Sequence, residues 1–313
     1  MNYKKILGGL LVFTLSTGIC FIRNAAYAQE IETDAVLRED GLFYKDDVPV
    51  NGLICHDSKV YYQAENGLIK SQWYSVNGDR YYFTANGSAM TGFDINSRKS
   101  YYFNEKGIFQ QGLIRVGGKT YFQNAEGLIK STWKTIDGNR YYFTSDGSTM
   151  TGFDINSRKS YYFNEDGVFQ QGLIKAGGKT YFQNAEGLIK STWKTVDGNR
   201  YYFTSDGSAM TGFDINSRKS YYFNEDGVFQ QGLIKTGGKT YFQDADGLSK
   251  STWKTVNGKR YYFTSDGSAM TGFDRSKNYT YYFDENGVLS IGWKEINGNK
   301  YYFSKEGYMY TGT

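Results

Sequence analysis

The stretch from Thr132 to Gly147 reads TWKTIDGNRYYFTSDG, and it contains every signal of one small folding unit. Asp137-Gly138 stands between two apolar stretches, which is typical of a tight β-hairpin, because a type I′ turn needs positive φ at both central residues. The aromatic run from Tyr141 to Phe143 favours a strand after that turn. The glycine that ends the stretch indicates a second turn. The stretch therefore predicts a β-hairpin followed by a glycine turn.

The same unit recurs along most of the chain. Thirteen glycines follow one another at a spacing of twenty residues, at positions 67, 87, 107, 127, 147, 167, 187, 207, 227, 247, 267, 287 and 307. An aromatic cluster precedes each of them. A lone hairpin is only marginally stable in water, so neighbouring hairpins must stack to bury their aromatic faces. The sequence therefore predicts an all-β, elongated solenoid of stacked hairpins over residues 51–313.

A period of sixty residues lies over the shorter one, because three hairpin types alternate. Type A carries a tryptophan and an Arg-Tyr-Tyr-Phe run, as in the stretch quoted above. Type B carries GFDINSRKSYYFNE, which is identical at 92–105, 152–165 and 212–225. Type C carries Gly-Leu-Ile and GGKTYFQ, as in 112–123. The last copies depart from these patterns, as is expected where a stack of repeats ends.

The N-terminal residues predict a secretory signal peptide. Lys4 and Lys5 precede a mainly apolar run from Ile6 to Ile22, and Ala26-Tyr27-Ala28 is a small-x-small cleavage signal. We therefore expect residues 1–28 to be removed. The alternative is an uncleaved membrane anchor, for which the run is short. Residues 29–50 are predicted to form an acidic linker and a degenerate first hairpin.

Charge and residue content argue against several functions. Without residues 1–28 the chain keeps 33 basic and 32 acidic residues, a net charge of +1, which gives no footprint for nucleic acid or for a membrane. Cys55 and His56 are adjacent, and adjacent strand residues point to opposite faces, so they cannot form a nucleophile–base pair. No acidic turn has the ligand spacing of an EF-hand calcium loop. We therefore predict no enzyme, no cofactor and no metal.

The unit Gly-aromatic-x5-Asn/Asp-Gly-x-x-Tyr-Tyr-Phe-x3-Gly resembles the cell-wall-binding repeat family over about residues 50–313. That family includes choline-binding modules of bacterial wall hydrolases, glucan-binding repeats of glucosyltransferases and the repetitive region of clostridial toxins. The resemblance implies a left-handed solenoid with about three hairpins per turn. One turn would then correspond to the sixty-residue period.

The resemblance also implies ligand sites between consecutive hairpins, on aromatic side chains from both. The matching candidates are Trp73, Trp133, Trp193, Trp253, Trp293, Tyr81, Tyr141, Tyr201, Tyr261 and Tyr301. Choline-binding copies carry a tryptophan directly before Tyr-Tyr, where this chain has Arg80 in type A and Ser100 in type B. Because an arginine repels a cationic ligand, we expect weak choline binding and a closer likeness to the glycan-binding branches. The arginines themselves are expected at solvated strand positions.

These observations together predict a secreted, non-catalytic protein attached to the bacterial cell surface or wall. Its partner would be a cell-wall polymer or a surface polysaccharide, held by many weak sites in series. Three alternatives stay open at this point: a lectin-like adhesin for host glycans, a structural stalk without a ligand, and a fragment of a wall hydrolase.

Overall fold

A computed structural model describes residues 31–94, 99–154, 159–214, 219–275 and 279–310. The predicted signal peptide lies outside the described residues, as does part of each type B loop. Every regular element among the described residues is a β-strand, and the strands pair as antiparallel hairpins. The predicted all-β class and its repeated hairpins are therefore confirmed. The handedness of the stack stays a prediction.

The chain divides into two compact units, of which the first comprises Met1–Thr151 with Glu165–Val168. Its strands are β1 (Val36–Leu37), β2 (Phe43–Lys45), β3 (Val48–Pro49), β4 (Gly52–His56), β5 (Lys59–Ala64), β6 (Gly67–Leu68), β7 (Gln72–Val76), β8 (Asp79–Phe83), β9 (Gly92–Asp94), β10 (Tyr101–Phe103), β11 (Gly112–Val116), β12 (Lys119–Asn124), β13 (Gly127–Leu128), β14 (Thr132–Ile136) and β15 (Asn139–Phe143).

The second unit comprises Gly152–Asn164 with Phe169–Thr313. Its strands are β16 (Gly152–Asp154), β17 (Tyr161–Phe163), β18 (Gly172–Ala176), β19 (Lys179–Asn184), β20 (Gly187–Leu188), β21 (Thr192–Val196), β22 (Asn199–Phe203), β23 (Gly212–Asp214), β24 (Tyr221–Phe223), β25 (Gly232–Thr236), β26 (Lys239–Asp244), β27 (Gly247–Leu248), β28 (Thr252–Val256), β29 (Lys259–Phe263), β30 (Gly272–Asp274), β31 (Tyr281–Phe283), β32 (Gly292–Ile296) and β33 (Asn299–Phe303).

The predicted hairpin turns form as the dipeptides require. Asp137 and Gly138 have φ of 48° and 78°, so both central residues take the positive values of a type I′ turn. Type A hairpins have two strands, such as β14 and β15, whereas a type C hairpin gains a third short strand, such as β13 beside β12. Each hairpin type keeps its own register through the array.

The aromatic run after each turn forms the core, and strand alternation decides which ring is buried. In β22, Tyr201 and Phe203 are buried at 5% and 0% exposure, while Tyr202 between them is only half-buried. Tyr201 and Phe203 stack on each other, with ring centroids 5.9 Å apart. The expectation that the first tyrosine and the phenylalanine share one face is therefore confirmed.

Consecutive hairpins in a unit are joined by backbone hydrogen bonds as well as by packing. The Leu188 N–H donates to the carbonyl of Ser160 at 2.9 Å, and the Phe229 N–H donates to the carbonyl of Arg200 at 2.8 Å. Exposed ion pairs also join a hairpin to the one that follows two places later in the chain, as between Lys175 and Asp226 at 2.7 Å. The contacts of a hairpin are therefore mainly with its near neighbours, as expected for a repeat array.

Gly187 provides a test of this nearest-neighbour picture. Its φ is +127°, and a Cβ there would lie 2.7 Å from the carbonyl oxygen of Ser160. Gly187→Ala is therefore expected to cost about 3 kcal/mol, from backbone strain and the clash together. The loss should be confined to the adjacent hairpins. Urea unfolding with amide hydrogen exchange would measure both the size and the extent.

Gly178→Ala is the matched control for this change. Gly178 also has positive φ, +72°, but a Cβ there meets nothing within 4 Å. We expect a cost of about 1 kcal/mol, from the backbone conformation alone. Equal costs for the two variants, or loss of structure through the whole chain, would contradict the account.

Candidate functional site

The candidate sites are aromatic clusters at the junctions between consecutive hairpins. Strand register places the second residue of the first strand directly opposite the second residue of the aromatic run, as in the pairs Phe93–Tyr102 and Trp73–Tyr82. Both side chains leave the buried face, because the first and third residues of the run occupy it. A ring of the next hairpin completes each cluster. We name the junctions A–B, B–C and C–A after the types that meet there.

At the A–B junctions, an arginine covers the tryptophan. The Cζ atom of Arg200 lies 4.1 Å from the ring centroid of Trp193, and Arg80 stands at the same distance from Trp73. Both arginines are half-buried. The expectation of solvated arginines is therefore wrong at these positions. The reason is that the next hairpin covers this face of the strand and leaves the guanidinium packed between rings.

The predicted site residues differ in how far a ligand could reach them. Four tyrosines are buried, at 2–5% exposure: Tyr81, Tyr141, Tyr201 and Tyr261. Burial, with a smaller contribution from Asp79, raises the pKa of Tyr81 to about 12, so its hydroxyl stays neutral. Tyr301 is half-buried, as are four of the tryptophans: Trp73, Trp133, Trp193 and Trp253. Only Trp293 is widely exposed, at 71%. Ligand contact at all ten residues stays a prediction.

The B–C junctions hold clusters that the candidate residues do not include. The ring of Phe93 lies 4.8 Å from Tyr102 in its own hairpin and 4.8 Å from Tyr121 in the next. The same two distances recur around Phe153 and around Phe213. These three phenylalanines are 36–38% exposed. The phenylalanine is therefore the ring of each cluster that is most open to solvent, whereas the tyrosine of the next hairpin is nearly buried, at 9% exposure for both Tyr121 and Tyr241.

One signal in the sequence distinguishes these clusters from the A–B clusters. The residue before Tyr-Tyr is Ser100 at a B–C cluster, whereas it is Arg80 at an A–B cluster. A serine is too short to reach the phenylalanine ring. Within the part of the chain that the structure describes, no cation lies over Phe93, Phe153 or Phe213.

A buried glutamine holds the backbone of the cluster tyrosine in place in each B–C cluster. The Gln123 side chain has 0% exposure, accepts a hydrogen bond from the Tyr102 N–H at 2.7 Å, and donates to the Tyr102 carbonyl at 2.9 Å. It also donates to the Gln110 carbonyl at 2.5 Å. Gln183 and Gln243 repeat all three bonds. Both backbone groups of the cluster tyrosine are thereby paired, which holds its ring in place.

The surroundings of a B–C cluster combine apolar and polar groups. Phe93 and Tyr102 line a groove of about 610 Å³, together with side chains that include Lys59, Thr91 and Glu105. A second, polar recess of about 370 Å³ lies at the same junction and is lined by residues that include Ser100, Asn124, Glu126 and Lys130. It recurs sixty residues later at about 380 Å³. Such a combination suits a ligand with both apolar faces and hydroxyl groups.

The C–A junctions are covered by lysines rather than left open. Phe122 pairs with Leu113 across its hairpin, and Lys134 Nζ of the next hairpin lies 5.0 Å from the centre of the phenylalanine ring. Lys194 and Lys254 lie over Phe182 and Phe242 in the same way, at 4.9 Å and 5.4 Å. The three junction types therefore differ in their cover. Among the described residues no cation lies over Phe93, Phe153 or Phe213, whereas Arg275 lies 5.2 Å from the ring centre of Phe273 in the last type B copy.

Other kinds of site find little support in the described ranges. No three acidic, histidine or cysteine side chains in them gather closely enough to hold a metal ion. No helix in the same ranges is long and apolar enough to cross a membrane. Cys55 is buried in strand β4, as are Leu53 and Ile54 before it, while the adjacent His56 is half-buried.

Comparison with known families identifies the repeats. The model of the choline-binding repeat matches residues 130–167, 189–227 and 249–289. The model of a putative cell wall binding repeat matches residues 71–89 and 291–309. No curated protein matches the sequence. Each match to the choline-binding repeat covers a type A hairpin and the type B hairpin after it, and ends before the type C hairpin that completes a B–C cluster.

Three solved structures are similar to the chain. CbpJ from Streptococcus pneumoniae TIGR4 is 23% identical, with 76% of this chain and 94% of that chain covered and a TM-score of 0.44. Choline binding protein F from Streptococcus pneumoniae is 21% identical, with 83% and 98% covered and a TM-score of 0.49.

The third is an alternansucrase in complex with isomaltononaose, which is 22% identical, with 88% of this chain and 23% of that chain covered and a TM-score of 0.25. The family models decide the assignment, because they match the repeats themselves at several places along the array. The chain belongs to the family of choline-binding and cell-wall-binding repeats.

Proposed function

We propose that this protein is a non-catalytic, multivalent anchor that binds a cell-wall polymer or surface polysaccharide through its B–C clusters. The observation that carries the proposal is the recurrence of one three-ring cluster with the same distances around Phe93, Phe153 and Phe213, each exposed to a similar extent. A structural stalk would not need these rings on its surface. A periodic polymer would meet the same site again and again.

The chemistry of the cluster suits a sugar. The C–H face of a sugar ring packs on aromatic rings, while its hydroxyl groups need hydrogen-bond partners beside them. Phe93 and Tyr102 supply the apolar surface, and the adjoining recess supplies Ser100, Asn124 and Glu126. A net charge of +1 after loss of the predicted signal peptide adds little long-range attraction of its own.

Binding of this kind gains strength from repetition. One aromatic site of a few rings holds a sugar only weakly, but several sites on one chain act at a high effective concentration on the same polymer. The proposal therefore includes weak binding of short oligosaccharides and strong retention on long ones. It also includes export through the signal predicted in residues 1–28 and attachment at the bacterial surface.

The decisive measurement compares purified bacterial cell walls, polysaccharides isolated from them and an array of mammalian glycans as ligands for the full chain. We expect retention on the walls and polysaccharides that increases with polymer length. We also expect millimolar choline to displace little of the bound protein.

Preferential binding to mammalian glycans would instead support the host-glycan adhesin. Retention on no polymer would support the stalk. Complete displacement by choline would show that a cationic headgroup, and not the sugar, is the ligand.

A further inference from the structure

The A–B clusters resemble the B–C clusters but contain a tethered cation. We propose that Arg80, Arg200 and Arg260 are built-in occupants of aromatic cages that would otherwise accept a small organic cation, such as a quaternary ammonium group. On this account the arginine determines specificity, because it closes the cage from within. The inference concerns a different junction from the proposed polymer site and does not depend on it.

The rings around Trp193 form such a cage. Tyr202 lies across the hairpin at 5.4 Å between ring centroids, and Tyr221 and Phe223 of the next hairpin lie at 5.3 Å and 5.5 Å. Phe229 closes a further side at 5.6 Å, with its plane at 84° to the indole. Four rings therefore pack against one tryptophan. Two of the five rings, Trp193 and Phe229, turn a face toward the position of the guanidinium, and aromatic faces are what quaternary ammonium ligands bind.

The guanidinium of Arg200 occupies this cage. Its Cζ atom lies 4.1 Å from the centre of Trp193 and 5.2 Å from the centre of Phe229, both within the range of a cation–π interaction. Among the described residues, no carboxylate lies within ion-pair distance of Arg200. The π faces of the cage are therefore the main partners of this charge.

The backbone determines that the arginine points into the junction. The Phe229 N–H donates to the Arg200 carbonyl at 2.8 Å, so the strand that carries the arginine is bonded to the hairpin that closes the cage. In the first copy the Phe109 N–H makes the same bond to Arg80. Arg80 Nη1 also lies 3.5 Å from the carbonyl oxygen of Ala125, which limits its freedom to leave.

The fourth copy shows what happens when one wall of the cage is lost. Leu289 stands where the other copies have a phenylalanine, and its N–H donates to the Arg260 carbonyl at 2.8 Å. The indole of Trp253, at 4.3 Å, is then the one ring over which Arg260 lies, its Nη1 is 3.5 Å from the Glu306 carbonyl oxygen, and the side chain is exposed rather than half-buried. The burial of the arginine thus follows the number of rings around it.

The test is to remove the occupant in the full chain. Arg200→Ala should open one cage, and choline chloride should then bind there at least about tenfold more tightly than to the same junction of the parent. Calorimetry should count one additional choline site for this variant and two for Arg80→Ala and Arg200→Ala combined. Tryptophan fluorescence should change on choline addition, since the ligand would contact an indole.

Two further variants control for folding and for charge. Arg200→Gln keeps the length of the side chain without its charge, and should also admit choline if Arg200→Ala fails to fold. Lys175→Ala removes a cation that pairs with Asp226 and should create no site. Arg260→Ala should give a weaker site than Arg200→Ala, because Leu289 replaces one ring.

The proposal is overturned if the folded Arg200 variants gain no choline site, or if the parent already binds choline at every A–B junction. Polymer retention provides an independent readout, because it is assigned to the B–C clusters. If a phenylalanine variant loses polymer retention while the Arg200 variant still gains a choline site, the two clusters act independently. If the Arg200 variant gains no choline site while polymer retention is unchanged, only the cage proposal fails.

Discussion

Replacing Phe93, Phe153 and Phe213 together by alanine should lower retention on cell-wall polymer by roughly a hundredfold, while the array stays folded. Stacking on one aromatic ring is worth about 1 kcal/mol, which is about fivefold in affinity. Three equal sites on one polymer multiply that factor. A single Phe213→Ala change should therefore lower retention only about fivefold.

The fold should survive because these rings are the exposed members of their clusters. Phe213 packs on Tyr222 and Tyr241 but leaves 38% of its surface in solvent, whereas Phe223 below it is 1% exposed. Truncating the exposed ring leaves no closed cavity. Circular dichroism and urea unfolding would verify this before retention is compared.

The type C hairpins offer a matched control. Leu113, Leu173 and Leu233 hold the same strand position as the phenylalanines and are exposed to the same extent, 37–39%. The triple Leu→Ala variant loses similar apolar surface but no aromatic ring, so retention should change little. Equal losses in both triple variants would show that the rings are not the site. Loss of retention only on replacing Trp133, Trp193 and Trp253 would move the site to the tryptophans.

The second large effect is expected at a buried glutamine. Gln243→Leu should destabilise the surrounding hairpins by about 3 kcal/mol. The Tyr222 carbonyl keeps the Gln230 N–H at 3.3 Å as a second partner, but three half-buried backbone groups each lose a hydrogen bond to the side chain, at about 1 kcal/mol each. These groups are the Tyr222 N–H, the Tyr222 carbonyl and the Gln230 carbonyl, at 2.7, 2.9 and 2.5 Å from the side chain. Faster hydrogen exchange of the Tyr222 amide should accompany the loss in urea unfolding.

Gln230→Ala is the control for that variant. The Gln230 side chain is half-buried and donates one hydrogen bond, to the Val228 carbonyl at 3.0 Å. Its removal leaves the backbone carbonyl that Gln243 bonds in place. We expect a cost of about 1 kcal/mol, as for one ordinary hydrogen bond. A Gln243→Leu variant as stable as Gln230→Ala would show that water or a shift of the strands satisfies the freed groups.

The sequence was sufficient to predict the hairpins because their signals are local. A dipeptide such as Asp137-Gly138 determines the turn through the φ values that it allows, and the alternation of Tyr201, Tyr202 and Phe203 determines the buried face. Both depend on neighbours within a few residues. The period of twenty then repeats the same local result along the chain.

The details of the junctions could not be predicted in this way, because they depend on which hairpin follows. Arg200 stands at a strand position that alternation alone would leave in solvent, and only the next hairpin turns it into a cage occupant. Gln243 takes a core position that holds a phenylalanine in types A and B, with 0% exposure in the folded array. A polar residue there is stable only because carbonyl and N–H groups of the preceding hairpin face it.

The dependence of each junction on the type that follows has a consequence for how such a gene can change length. Loss of sixty residues, such as 172–231, joins Gly232 to the hairpin that Gly172 followed, and duplication of the same block joins Gln231 to a second copy of Gly172. In both cases each hairpin still meets a neighbour of the same type. Loss of twenty residues would place a type B hairpin before type A, with no glutamine for its tyrosine. Recombination between the near-identical copies therefore yields viable chains in steps of whole sixty-residue blocks. The number of the proposed polymer sites would then change in the same steps, without any new interface between hairpin types.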